Sequence, residues 1–175
     1  MTTVLRETKE TTVTVTLEAA VRIDTGLPFF NHMLTAFSTY AGLPLAIDAR
    51  GDLRHHLMED VALAVGTFIR EVTPATAHRY GEKTIPMDDA LVQAVIDLSG
   101  RPYFVGRLPS KLYTHWLRSF ATTSQSTLHL RRLRGHDRHH LIEAAFKATG
   151  LALREAMRDD GTVFSTKGSV NVRVT

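Results

Sequence analysis

The chain contains no cysteine. Disulfides, thiolate metal sites and cysteine nucleophiles are therefore excluded, and any metal site must use histidine, carboxylate or backbone oxygen. Long hydrophobic runs are missing too. No stretch of about 18 uninterrupted apolar residues occurs, which argues against a membrane-spanning helix. The opening residues, MTTVLRETKETTVTV, lack the apolar centre of an export signal, so a cytoplasmic protein is expected. Excess charge is small, at +3. The one basic run, RRLR at 131–134, carries no interleaved aromatics and reads as the wet face of a strand around Leu128, Leu130 and Leu133. No nucleic-acid partner is expected.

What is present suffices for a packed core. Of 175 residues, 43% are hydrophobic and 22% charged, which fits one compact domain or two very small ones. Residues 13–23 alternate apolar and polar as a half-buried strand. PFFNHMLTAFSTYAG (28–42) reads as a helix, opened by Pro28 and stopped by Gly42. Leu43 to Ala49 alternate as a strand, and a helix follows from His55. The polar, turn-rich segment 73–86 is expected to be a linker. Beyond it come two strands separated by Gly100, a helix from Lys111, a strand over 126–133 and a long helix from His139. The tail after 157 is expected to be loop with a short last strand.

The second half replays the first. HHLMED (55–60) returns as HHLIEA (139–144), and with His55 set on His139, His, His, Leu, Glu, Ala, Gly, Arg and Glu recur within eighteen positions. His32, Leu34 and Phe37 correspond to His115, Leu117 and Phe120. An internal duplication of a strand–helix–strand–helix unit accounts for this. The expected fold is α/β (α+β), a sheet layered against helices, with halves 1–87 and 88–175.

Apolar packing gives no reason to repeat paired histidines. A helix N-terminus disfavours imidazolium, so neutral rings with free lone pairs are expected there. Neutral imidazole with carboxylate is a metal ligand set. At about 100° per residue, Glu59 lies about 40° from His55 and about 60° from His56. The paired rings diverge, so they suit two different ions, or one ion within the chain and one shared with a neighbouring subunit. His32 and His115 can complete the shells. No HExxH zinc motif, glycine-rich phosphate loop or GxSxG turn occurs.

These residues resemble the imidazoleglycerol-phosphate dehydratases of histidine biosynthesis over nearly the whole chain. RETKET (6–11), GLPFFNHML (26–34), GD (51–52) with HHLMED, RYGEKTIPMDDAL (79–91), DLSGRPY (97–103), THWLRSF, GHDRHHLIEAAFKA and STKG (165–168) match the family's signatures in order. The resemblance implies a hydro-lyase that converts imidazoleglycerol phosphate to imidazole-acetol phosphate. It implies two manganese ions per site and a 24-subunit shell with active sites at interfaces. The ligands would be His32, His55, His56, Glu59, His115, His139, His140 and Glu143. Glu10 would be the catalytic glutamate, with Glu143 beside it. Arg79, Arg101, Ser165 and Lys167 would hold the phosphate, and Lys147 would contact substrate.

The match is not complete. Asn31, Ala36 and Tyr40 stand where the family has Asp, Gln and His, and about three residues are missing between Asp52 and His55. No phosphatase segment follows STKG, so a monofunctional form is expected. A dinuclear hydrolase of small phosphorylated substrates is the alternative. Imidazole-rich shells by themselves favour zinc, copper or nickel, so manganese comes only from the resemblance.

Overall fold

The computed structural model describes residues 2–163. The first half runs β1 (Thr3–Glu7), β2 (Thr11–Leu17), β3 (Arg22–Asp24), α1 (Pro28–Ala41), β4 (Leu45–Gly51) and α2 (Arg54–Val72). The second runs β5 (Tyr80–Met87), β6 (Ala90–Asp97), β7 (Tyr103–Val105), α3 (Lys111–Thr123), β8 (Thr127–Arg134) and α4 (Arg138–Ala156). Each half builds one four-stranded sheet, in the orders β1-β2-β4-β3 and β5-β6-β8-β7. In both sheets the first three neighbours pair antiparallel, and the third strand in sequence joins the last in parallel. The two halves thus share one topology, as the duplication requires.

Each unit is longer than the expected four elements. The strand expected over 13–23 is two strands. β2 ends at Leu17, and Arg22–Asp24 then pairs on the far edge of β4, Ile23 opposite Ile47. The alternation simply continues through the intervening turn. The segment expected to be a linker holds all but the last residue of β5, whose residues 80–87 pair with β6. β5 is a sheet edge with mostly wet side chains, which explains its polar composition and tolerates Pro86 near its end. An 87/88 division runs through this hairpin, and we propose the 73–79 connection as the boundary instead. Leu133 does not share the inward face of Leu128 and Leu130. The ladder shifts beside it and leaves it 41% exposed.

The helices exchange partners between halves. α1 packs on α4, and α2 packs on α3. Equivalent glycines allow each close approach. A Cβ on Gly66 would meet the Phe120 carbonyl at 2.6 Å, and one on Gly150 would meet the Phe37 carbonyl at 2.7 Å. Between the pairs lies an aromatic core. Trp116 stacks on Phe120 with centroids 5.6 Å apart and tilts against Phe146 at 4.8 Å. Gly42 ends α1 at φ 68, where its amide caps the last turn.

Candidate metal centre and active site

The exchange of helices decides which histidines meet. His32, on α1 of the first half, lies against His139 and Glu143 of the second. His115, on α3 of the second half, lies against His55 and Glu59 of the first. In one cluster Glu143 Oε2 sits 3.0 Å from His139 Nε2 and 3.3 Å from His32 Nε2. In the other, Glu59 is 3.2 Å from His115 Nε2 and 3.6 Å from His55 Nε2, and the two rings stack with centroids 5.1 Å apart. In each cluster the three ligand atoms lie within 4.8 Å of one another. Neither half alone supplies either of these two clusters.

The paired histidines diverge as their helical spacing requires. The His55 and His56 rings stand at 82°, and those of His139 and His140 at 76°. His56 Nδ1 turns to Asp52, 3.0 Å away, and to Glu10, 3.3 Å away. Glu10, Asp52 and His56 form a third candidate group of metal ligands. His140 occupies the equivalent place, its Nδ1 2.8 Å from Asp89 and its Nε2 3.2 Å from Asp88. Sequence reasoning missed the parts of Asp52, Asp88 and Asp89. Their available signal was position, in the turns directly ahead of the elements that carry or flank the histidines.

These carboxylates overturn one electrostatic expectation. The hydrogen bond to Asp52 raises the pKa of His56 above its ordinary 6.5, against the lowering effect of burial. Asp89 raises that of His140 in the same way. The local anions outweigh the helix N-terminus and draw both pKa values upward. Asp89 itself is held well below the carboxylate range by the backbone amide of His136, by His140 and by the amide of Asp137. For Glu143, burial pushes the pKa up, but the Lys147 ammonium 2.8 Å away and the rings of His32 and His139 bring it below normal. Burial lowers Lys147 and Glu143 raises it, with a raised net result.

The residues present fit a divalent cation. His115 Nε2 is buried and, despite its 3.2 Å approach to Glu59, has no partner in hydrogen-bonding geometry. It points its polar nitrogen into a nest of imidazole and carboxylate, where a metal would complete it.

The expected phosphate ligands stand elsewhere. Arg79, at the unusual φ of 78, donates from Nε to Asp97 Oδ1 at 2.7 Å, and Arg101 approaches the same carboxylate at 3.7 Å. They converge with each other but not with the clusters. Arg79 precedes β5, whereas Asp88 follows it beside His140, and the eight residues of β5 span about 26 Å. Ser165 and Lys167 lie outside the described residues. Lys147, by contrast, sits at the metal cluster. Asn31 accepts from the Thr25 backbone amide and hydroxyl, which ties the turn ahead of α1 and keeps it out of the clusters. A feature unforeseen from the sequence is a cavity of about 830 Å³ where Arg54, Arg107, Lys111 and Arg118 surround His55 and His115. Its cationic lining suits an anionic substrate. Among the described residues no helix is long and apolar enough to cross a membrane.

Comparison with known proteins identifies the arrangement. The profile of the Imidazoleglycerol-phosphate dehydratase family matches residues 25–153. The Imidazoleglycerol-phosphate dehydratase of Acidothermus cellulolyticus is 43% identical over 96% of this chain and 92% of its own length. That of Salinibacter ruber is 44% identical over 96% and 94%. A crystal structure of the Pyrococcus furiosus enzyme, solved in complex with (S)-C348, superposes with a TM-score of 0.88 at 39% identity, covering 95% of this chain and 99% of that one. The Staphylococcus aureus structure gives 0.80 at 33% identity, over 91% and 99%. The α+β architecture agrees with these solved structures, and the chain belongs to the imidazoleglycerol-phosphate dehydratase family.

Proposed function

We propose that this chain dehydrates imidazoleglycerol phosphate to imidazole-acetol phosphate with the substrate's ring held between two divalent metal ions. The reaction class is that of its family, a hydro-lyase of histidine biosynthesis. The observation that carries the metal reading is the pair of cross-half clusters, His32–His139–Glu143 and His55–Glu59–His115, with His56 and His140 turned outward beside them. Together these eight residues can hold two ions, which the family resemblance makes manganese.

The proton to be removed sits on a carbon next to an imidazole and is scarcely acidic. Bound cations would supply Lewis acidity at the ring nitrogens and so draw electron density from that carbon. Glu10 is the proton shuttle. Its carboxylate is 56% exposed and reaches His56, so it is open to a substrate lying at the histidines. Loss of the neighbouring hydroxyl leaves an enol, which becomes the ketone. Glu143, kept anionic by Lys147, holds two imidazoles in one orientation, and Lys147 is near enough to contact substrate. Arg79 and Arg101, with Ser165 and Lys167, hold the phosphate.

The separation of Arg79 and Arg101 from the clusters along β5 supports a site assembled between subunits, in which one chain supplies metals and another the phosphate cradle. A 24-subunit shell, taken from the resemblance, would provide such contacts in the cytoplasm. A dinuclear hydrolase would release inorganic phosphate instead. Incubating the metal-loaded enzyme with imidazoleglycerol phosphate is expected to yield ketone without phosphate, and Glu10→Gln is expected to abolish turnover while assembly persists. Phosphate release, or normal turnover by Glu10→Gln, would overturn the reading.

A further inference from the structure

The two halves depart from their symmetry in the turns ahead of β2 and β6. Glu10 immediately precedes β2, and Asp89 immediately precedes β6. Asp89 has its side chain fixed, since it accepts the backbone N–H of His136 at 2.7 Å and of Asp137 at 3.1 Å besides meeting His140. Glu10 has its backbone fixed and its carboxylate largely exposed. Its N–H donates to Thr8 Oγ1 at 3.1 Å, and its carbonyl accepts the Asp52 N–H at 3.0 Å. Thr8 Oγ1 also receives the Thr11 N–H at 3.0 Å and lies 3.1 Å from Thr11 Oγ1. Thr11 Oγ1 then donates to Asp60 Oδ2, and Asp60 Oδ1 is 2.9 Å from Arg6 Nε. A continuous strap therefore runs from α2, through Asp60, Thr11 and Thr8, to the turn that carries Glu10.

The second half shows what the fold itself requires. Thr11 opens β2 as Ala90 opens β6, and Asp60 follows Glu59 as Ala144 follows Glu143. All four are buried, at 4%, 1%, 8% and 0% exposure. The same topology thus folds around an apolar pair at these positions. Exchanging a satisfied buried polar pair for an apolar one is nearly neutral for stability, so packing by itself gives no reason to retain Thr11 and Asp60. Their distinguishing neighbours are the Glu10 turn and Arg6 on β1, whose partly exposed guanidinium meets Asp60 from outside the core.

We propose that Asp60, acting through Thr11, is a positioning residue that fixes the Glu10 turn relative to the histidines of α2. Asp60 follows Glu59 directly and is four residues beyond His56, so the helix that carries these two ligands also sets the height of the proton shuttle. The proposal rests on Glu10 being that shuttle. A freed turn leaves substrate and metal binding intact and misplaces only the carboxylate, and misplacement of about 1 Å costs up to roughly 100-fold in rate.

The test compares Thr11→Val, Thr11→Ser and the double variant Thr11→Ala/Asp60→Ala, which copies the second half's own pair, with Glu10→Gln as a control. Thr11→Val and the double variant are expected to lose roughly 10- to 100-fold in kcat with KM and metal content unchanged. The limb of the pH–kcat profile that belongs to Glu10 should move, and Thr11→Ser should restore both. Normal kcat and an unmoved limb in the double variant would overturn the proposal. So would loss of metal along with kcat, or failure of that variant to fold, since either assigns the pair to structure. Retained turnover by Glu10→Gln would sink the shuttle assignment itself, whereas loss there with normal double-variant kinetics would sink only the strap.

Discussion

At the level of single residues, the arrangement hangs on histidines contributed across the repeat. His115 reaches Glu59 and stacks on His55, so truncating it removes one corner of one cluster while leaving His32, His139 and Glu143 untouched. His115→Ala is expected to lose one of two ions in elemental analysis, with near-native circular dichroism. Retention of both would remove His115 from the ligand set. A pH dependence follows from the neighbouring carboxylates. His56 and His140 have folded-state pKa values raised above 6.5, first by Asp52 and Asp89 respectively. In metal-free protein their stabilising contribution is complete below about 6.5 and is lost as pH rises through the raised values. Metal binding must displace any such protons, so affinity should strengthen as pH rises through the raised values, with proton release. Titration calorimetry in buffers of different ionisation enthalpy measures both. Buffer-independent heats and a flat affinity would contradict the assignment. The duplicated HH pairs and their glutamates were legible in the sequence because their helical spacing states where they point. The aspartates were not, because Asp89 reaches His140 across a tertiary contact between residues 51 apart.

At the level of elements, the clusters depend on how closely α2 approaches α3 and α4 approaches α1. A methyl on Gly66 would lie 2.2 Å from Thr123 Oγ1 and 2.6 Å from the Phe120 carbonyl. Gly66→Ala should therefore destabilise by about 1–3 kcal/mol despite alanine's better helix propensity. It should also weaken metal binding at the His55–Glu59–His115 cluster more than at the other. Denaturant melts with metal titration test this, and a stabilised variant with two equal sites would count against it. Gly150→Ala, against the Phe37 carbonyl at 2.7 Å, should show the converse preference. The helices were readable because burial stripes repeat over several turns and Pro28 and Gly42 punctuate α1. The edge strands β1 and β5 were not, since an edge leaves one rim of the backbone and much of the side-chain surface in water. β3 was hidden by alternation that ran on through a turn. The exchange of helix partners between halves could not be read at all, because periodicity gives a helix its buried face but not the element it buries against.

At the level of the whole molecule, one chain carries two candidate metal-ligand clusters built across its pseudo-symmetric halves, with an arginine pair about the length of a strand away. In the proposed site, association of chains would bring these ends together. The cationic cavity beside His55 and His115 is a place where the surface favours an anion or an acidic partner. The family signatures were legible in residue order, but the distance from Arg79 to the clusters only appears once β5 is seen as a strand between them. The most direct measurement is metal stoichiometry coupled to activity. Chelator-treated protein is reloaded stepwise with manganese while bound metal and ketone formation are followed together. The account predicts uptake of two ions per chain, with dehydratase activity rising in step. Protein that takes up no transition metal, or that forms ketone at full rate without it, would contradict the claim that imidazole–carboxylate clusters hold the cations that act on the substrate ring.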